Sequence, residues 1–298
     1  MKRFRSKGHA MNASDYILSK QIQWAHNRGI KLVGSKGQRG RPAYTQTLEE
    51  NLFQPLSPKV REELSNGDGG ELTGTTDDLP KMHAVHSSSA LSINIFQYWL
   101  GVNQVPKIAT ACGFCRQSNF CSHSIRFEAK FPISRDFAFS PNIDVIIENA
   151  AESFYEVFAV ECKFSEAYSS RGHSGIDQKY LDLEGIWTDV PNLRSFSRSI
   201  SPDDTEFAHL HSAQLVKHIL GLKEKHGKSR FRLLYLWYDS FGLEGALHRQ
   251  EAIRFQEIAK KDNIKFHTLT YQELIAVLAD RHRNEHERYI KYITSRYL

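Results

Sequence analysis

Two short apolar runs, residues 143–147 (IDVII) and 155–164 (YEVFAVECKF), flank a small, polar stretch, 148–153 (ENAAES), and both runs carry charge inside what should be a buried segment. Runs of this length and β-branched content read as strands, and the join reads as a hairpin turn. The two strands are therefore expected to be antiparallel neighbours. Side chains alternate along a strand, so Ala159, Glu161 and Lys163 share one face and Phe158, Val160 and Cys162 the other. The second set is apolar and is expected to face the core. The first set places two charges in an apolar strand, and Asp144 adds a third on its neighbour. Such charges cost free energy unless they are paired or hold a metal.

Hydrolysis of a phosphodiester needs exactly this kind of charge. A water must reach a phosphorus atom ringed by negative oxygens. Carboxylates from adjacent strands can hold one or two Mg²⁺ ions, which take hard oxygen ligands, acidify bound water and stabilise the entering and leaving oxygens. Asp144 and Glu161 are the candidate ligands. Lys163, two residues beyond Glu161, is the candidate catalytic cation or base. The bland alternative is a chance match, because D-x(n)-E-x-K is short and a Glu–Lys pair can be an ordinary solvated face.

Pro141-Asn142-Ile143-Asp144 followed by Glu161-Cys162-Lys163 resembles the PD-(D/E)xK, or restriction-endonuclease-like, nuclease superfamily. The segments HSSSALSINIFQYW, NIDVII and AVECKFSEAY are similar to bacterial putative restriction endonucleases. The resemblance covers roughly residues 84–240 and implies an α/β fold, a central mixed sheet flanked by helices in the order α-β-β-β-α-β. The matching elements are a helix over 87–100, a strand over 124–131, the two motif strands, a helix over 205–225 and a strand over 231–238. It further implies metal ligation by Asp144, Glu161 and the backbone carbonyl of Cys162. The superfamily's frequent acid on the first helix is missing here, and Glu128 on the first strand is the nearest substitute. Glu128 reads equally well as a surface residue alternating with Arg126 and Lys130. Gln214 either orients water or phosphate or is a helix-surface glutamine. Glu166 is a candidate contact for metal or DNA.

Charge is unevenly spread. Residues 1–45 hold ten Lys/Arg and one acid, a balance of +9 against +5 for the whole chain, so residues 46–298 sum to −4. A basic arm suits phosphate contacts, with Lys36, Arg39 and Arg41 in a Gly-rich stretch as candidates; a solvated tail is the alternative. The division expected is 1–83, a basic arm and irregular segment, and 84–298, the nuclease domain with C-terminal helices. Residues 165–203 read as a long polar insertion, with Arg171, His173, Lys179, Arg194 and Arg198 as candidate DNA contacts or simply solvated residues. Further helices are expected over 14–28, 245–262, from 271, and 282–298, with an edge strand over 264–269. Cys112, Cys115, Cys121 and His123 form either a structural Zn²⁺ set or a loop of reduced thiols. No signal core or membrane-length apolar run is present, which leads to the expectation of a cytoplasmic protein.

Together these features predict a Mg²⁺-dependent DNA endonuclease of type II-like restriction class, working as a homodimer and, in the restriction setting, alongside a cognate methyltransferase encoded separately. A repair, recombination or phage-defence nuclease is the alternative enzyme. An inactive nucleic-acid-binding module on the same fold, or an unrelated α/β protein with a chance motif, are the alternatives of other classes.

Overall fold

The computed structural model describes residues 11–35, 42–75, 77–118, 120–169 and 172–298. In chain order its elements are α1 (Ala13–Asn27), α2 (Pro58–Asn66), α3 (Ser88–Gly101), α4 (Val105–Ala111), β1 (Ser122–Lys130), β2 (Asn142–Asn149), β3 (Val157–Lys163), β4 (His173–Ser174), α5 (Gln178–Asp182), α6 (Pro191–Ser199), β5 (Asp203–Asp204), α7 (Ser212–His226), β6 (Phe231–Trp237), α8 (Leu243–Lys261), β7 (Phe266–Thr270), α9 (Tyr271–His282) and α10 (Glu287–Tyr297). None of these helices is long and apolar enough to cross a membrane.

The main sheet has the order β1-β2-β3-β6-β7. β1, β2 and β3 run antiparallel, and β6 and β7 then add in parallel. This is the expected α-β-β-β-α-β order with one further strand. The parallel step from β3 to β6 needs a crossover, and the long connection through α7 supplies it. β3 and β6 lie inside the sheet, and every residue of β3 is buried. That corrects the expectation that only Phe158, Val160 and Cys162 face the core. Helices cover both sides: Glu161 meets His218 of α7, while the Cys162 thiol faces Tyr271 of α9. A strand covered on both faces carries a continuous apolar run rather than an alternating one.

Local signals set the helix ends. Asn12 caps α1 by accepting from the Asp15 amide at 2.7 Å, and Thr270 with Glu273 forms a reciprocal capping box on α9. α7 starts at Ser212, later than expected, and stops at Gly227, whose φ of +78° suits glycine. Close seating of α7 depends on Gly221, where an added Cβ would stand 2.4 Å from the Phe131 carbonyl oxygen.

Residues 165–203 are not the polar loop expected. They contain short helices, α5 and α6, and a β4/β5 pair. Ile176, Trp187, Val190, Leu193 and Ile200 are buried in them. Two acids anchor this insertion and the turn that follows it. Asp262 accepts from the Leu193 amide (2.7 Å) at the start of α6, and Glu251 of α8 accepts from the amides of Ala208, His209 and Leu210 (2.7–2.9 Å).

One apolar core runs from Ala13 in α1 to Tyr297 in α10 and includes Val60 and Leu64 of α2. At its N- and C-terminal seam lies Arg296, 2% exposed. Its guanidinium donates to Gln21 Oε1 (3.0 Å), the Asn51 carbonyl (2.7 Å), Tyr292 Oη (2.7 Å) and the Val85 carbonyl (3.2 Å), and lies 3.9 Å from the centre of the Trp24 ring. One cation thus ties α1, α10 and the 51 and 85 segments through neutral acceptors. Arg296→Ala leaves several buried acceptors unpaired and is expected to cost about 3 kcal/mol or more. Urea unfolding should show it as a lowered midpoint at unchanged slope.

Candidate active site

The pairing of β2 with β3 ends at Val145–Val160, and beyond that point the two strands part. Asp144 and Glu161 are the first residues past the last pair, on the same face by continuation of the register. In the gap the Cys162 amide donates to Asp144 Oδ2 at 2.6 Å. A residue's N–H and C=O point to the same neighbouring strand, so the Cys162 carbonyl opens on the side of Asp144. On the other flank Glu128 falls between the pairs Phe127–Val145 and Ala129–Ile143, opposite Asp144. Each of three adjacent strands therefore contributes one carboxylate to the same row.

Glu128 is not the surface residue of the bland reading. Its φ is +51°, left-handed backbone that a non-glycine adopts rarely and at a cost of roughly 1–3 kcal/mol. Asn142 Nδ2 lies 3.4 Å from its Oε2, and Gly67 packs so closely that an added Cβ there would meet Glu128 Cβ at 3.0 Å. Burial, then Glu71 and Glu161, raise its carboxyl to about 7, although Asn142 and Lys163 oppose them. Asp144 is likewise raised well above the usual range by burial, Glu161 and Glu128.

Glu161 behaves in the opposite way. It is fully buried, which disfavours its charge, yet Lys163 and His218 hold it down at about 2. Its Oε1 lies 2.6 Å from Lys163 Nζ and its Oε2 lies 2.8 Å from His218 Nε2. Lys163 is also buried, which works against its charge, but Glu161, Asp144 and Glu166 raise it above the ordinary lysine value. Lys163 is therefore a firmly held cation.

Two cavities open beside the row and share a wall made by Gln214 and Lys217 of α7. One, about 390 Å³, is lined by Glu166, Ser169, His173 and His211 besides the shared pair. The other, about 340 Å³, is lined by Asp68, Phe139, Asn142, Tyr180 and His218 besides that pair. Gln214 and Glu166 both line the first cavity. Glu166 Oε2 also accepts from the Phe164 amide at 3.1 Å.

The remaining candidates scatter. His173 lines the first cavity, and Lys179 lies over the Phe137 and Tyr180 rings near Lys217. Arg194 pairs with Glu184, and Arg198 lines a separate hollow with that pair. Lys36, Arg39, Arg41 and Arg171 lie outside the described residues. Cys112 is buried at the end of α4, and burial, with Cys115 adding to it, pushes its thiol far up, away from a thiolate ligand. His123 is exposed on β1. Among the described residues no three His, Cys, Asp or Glu side chains stand as a ready metal cage, at the cysteines or in the acid row.

Sequence reasoning missed three groups. His218 lies one turn after Gln214 on the same face of α7, and that i, i+4 spacing was its only signal. Lys217 is the cation of the cleft wall. Glu71 comes from the 65–78 stretch, is hydrogen-bonded to Ser89 at the start of α3, and acts on both Glu128 and Glu166. It brings an acid to the first helix from outside that helix.

The crowded row should weaken the fold of the metal-free chain. Glu128 has a folded value of about 7 against an ordinary 4.5, so it keeps its proton longer when folded. Its stabilising contribution is complete below about 4.5 and is lost as pH rises through about 7. In EDTA, Glu128→Gln is expected to raise the melting temperature by about 2–4 °C at pH 8 and by little at pH 5. Thermal melts at the two pH values check this.

No curated protein and no solved structure shows significant similarity to the chain. A family described as "Restriction Endonuclease associating with ARP" matches residues 16–298. The match takes in the whole sheet, the row of carboxylates and both cavities, and the chain belongs to this restriction endonuclease family.

Proposed function

We propose that this chain hydrolyses DNA phosphodiesters through a PD-(D/E)xK site in which Asp144 and Glu161 hold a divalent cation and Lys163 is the catalytic cation. The observation that carries the reading is the parting of β2 and β3 at Val145–Val160, where Asp144, Glu161 and Lys163 stand together, behind the two cavities that share Gln214 and Lys217. Family membership supports the reaction class.

The donor set fits Mg²⁺. Burial and mutual repulsion keep Asp144 and Glu128 raised even though Lys163, Asn142 and the Cys162 amide oppose them, so the row has room for a further positive charge. Mg²⁺ keeps several waters and needs only one or two carboxylates, so a preformed three-residue cage is not required. When bound, the ion supplies an acidified water and charge stabilisation at the phosphate. The protein's own groups do the rest. Asp144 stays aimed at the gap by the Cys162 amide, and the Cys162 carbonyl is a neutral donor on the same side. His218 orients Glu161 from behind. Lys163, held protonated, faces a non-bridging phosphate oxygen or orients the attacking water. Lys217 and Gln214 line the path of the strand's neighbouring phosphates, and exposed Phe139 stands at the lip of the cleft.

Type II-like action follows as part of the proposal. A homodimer would present two clefts to a two-fold symmetric duplex site. The family's name adds association with ARP, and we extend that association to this chain.

Purified protein with Mg²⁺ is expected to cut plasmid and phage DNA into discrete fragments, and EDTA should abolish cutting. Asp144→Ala and Lys163→Ala are each expected to lower the rate by about 10³-fold or more. Full Mg²⁺-dependent cleavage by Lys163→Ala would overturn the assignment. Unspecific degradation lost in both variants would retain the chemistry and remove the restriction class.

A further inference from the structure

α1 and α10 cross on a side of the molecule that shares no lining residue with the acid cleft. Between them and residues 52–53 is a hollow of about 410 Å³. Three cations line it: Arg28 at the end of α1, and Arg288 and Lys291 on α10. Its apolar part is Trp24, Leu52, Phe53 and Tyr292, and no carboxylate belongs to the lining. All three cations are exposed, and none has a carboxylate partner or side-chain hydrogen bond among the described residues.

Aromatic rings flank two of these cations. The Arg28 guanidinium lies 5.6 Å from the centres of both the Trp24 and Tyr292 rings, and that of Arg288 lies 5.9 Å from Phe53. The rings are rigid in turn. Trp24 and Tyr292 meet edge-on at 5.8 Å, and buried Arg296 presses on Trp24 at 3.9 Å. The Trp24 indole N–H is buried and has no hydrogen-bond partner. Like charges so close together repel one another, and folding alone gives no reason to gather them around a concave aromatic surface. An anion relieves that repulsion. Guanidinium groups grip phosphate oxygens with paired, charge-assisted donors, and their planes stack on bases. The hollow falls in the size range of small-ligand sites.

We infer that this hollow is a second ligand site, specific for a nucleotide phosphate, with Arg28, Arg288 and Lys291 binding the phosphate and Phe53 and the Arg28 plane receiving the base. The nucleotide is either free or part of a nucleic-acid strand. The site does not depend on the nuclease reading, because it uses none of the groups of the acid row.

The test uses the full chain in EDTA, where cleavage by the acid row is suppressed. Adenosine 5′-monophosphate is titrated by calorimetry, and a short fluorescein-labelled duplex is titrated by anisotropy over a range of salt concentrations. The variant is Arg28→Gln/Arg288→Gln/Lys291→Gln, with Arg288→Gln alone as the milder change should the triple variant not fold. A loss of mononucleotide affinity of about tenfold or more supports the site with a free nucleotide as its ligand. Absence of mononucleotide binding, with a duplex salt slope shallower by about one or more in the variant, supports a strand phosphate instead. Arg254→Gln, on α8 and paired with Glu206, lines neither the hollow nor the acid cleft and should leave mononucleotide binding unchanged. The proposal is overturned if the folded variant keeps wild-type values for both probes, or if the wild-type protein binds neither.

Discussion

A carboxylate with no exposure, inside a sheet covered on both faces, is the constraint around which this molecule is arranged. Glu161 can be charged there only because Lys163 and His218 each engage one of its oxygens. Each partner makes its own demand. Lys163 must be two residues further on, so that it returns to the same face of β3. His218 must arrive from α7, so α7 has to lie close against the sheet, and Gly221 is the position that lets it. The crossover between parallel β3 and β6 brings α7 there. Topology, helix packing and charge balance are thus parts of one arrangement.

The rest of the acid row lacks such compensation. Asp144 has one amide donor and Glu128 one long contact to Asn142, while Glu71 and Glu166 add further negative charge. Glu128 also adopts a strained backbone to take part. A fold selected for stability alone would replace these acids by amides or apolar groups. Stored repulsion and strain gathered at one place are the usual mark of a site that works on a charged ligand. The hollow between α1 and α10 has the opposite sign, three cations without a counter-charge among the described residues, and the same logic applies to it.

The parts of this structure that were legible in the sequence are those where one residue type contradicts its surroundings. Asp144, Glu161 and Lys163 stand out because each interrupts an apolar run, and the runs themselves mark β2, β3 and β6. Residues that agree with their surroundings were not legible. His218 resembles any polar residue on an amphipathic helix, and only the folded crossover shows that it reaches Glu161. Glu71 sits in a Gly- and Asp-rich stretch that reads as a plain loop, and its approach to Glu128 depends on contacts distant in sequence. The 165–203 insertion reads as a loop because its apolar residues are few and set among serines and charges, although Val190, Leu193, Phe196 and Ile200 do keep the helical spacing that α6 uses. The double covering of β3 was hinted at by the unbroken VFAV run, although the charges that follow drew the reading toward a one-sided strand.

The electrostatics also separate the two roles open to Lys163. A general base near neutral pH must give up its proton easily. Lys163 holds its proton more tightly than a free lysine does, because Glu161, Asp144 and Glu166 all surround it. A cation bound by these carboxylates would weaken that hold twice over, by drawing the carboxylates away and by its own charge, so the firm hold belongs to the ion-free site. On the proposed reading the Glu161 contact keeps Lys163 as a positive charge beside the phosphate. The proton of the attacking water must then go to another group. Among those lining the cleft, His211 has its ring nitrogen Nε2 buried without a partner, and burial, followed by Lys163 and His173, lowers it to about 3, so it is neutral and unprotonated. Such an imidazole has an open lone pair but little basicity. The phosphate oxygens and bulk water at the cleft mouth are better acceptors, which places the burden of catalysis on positioning and charge rather than on a single basic side chain.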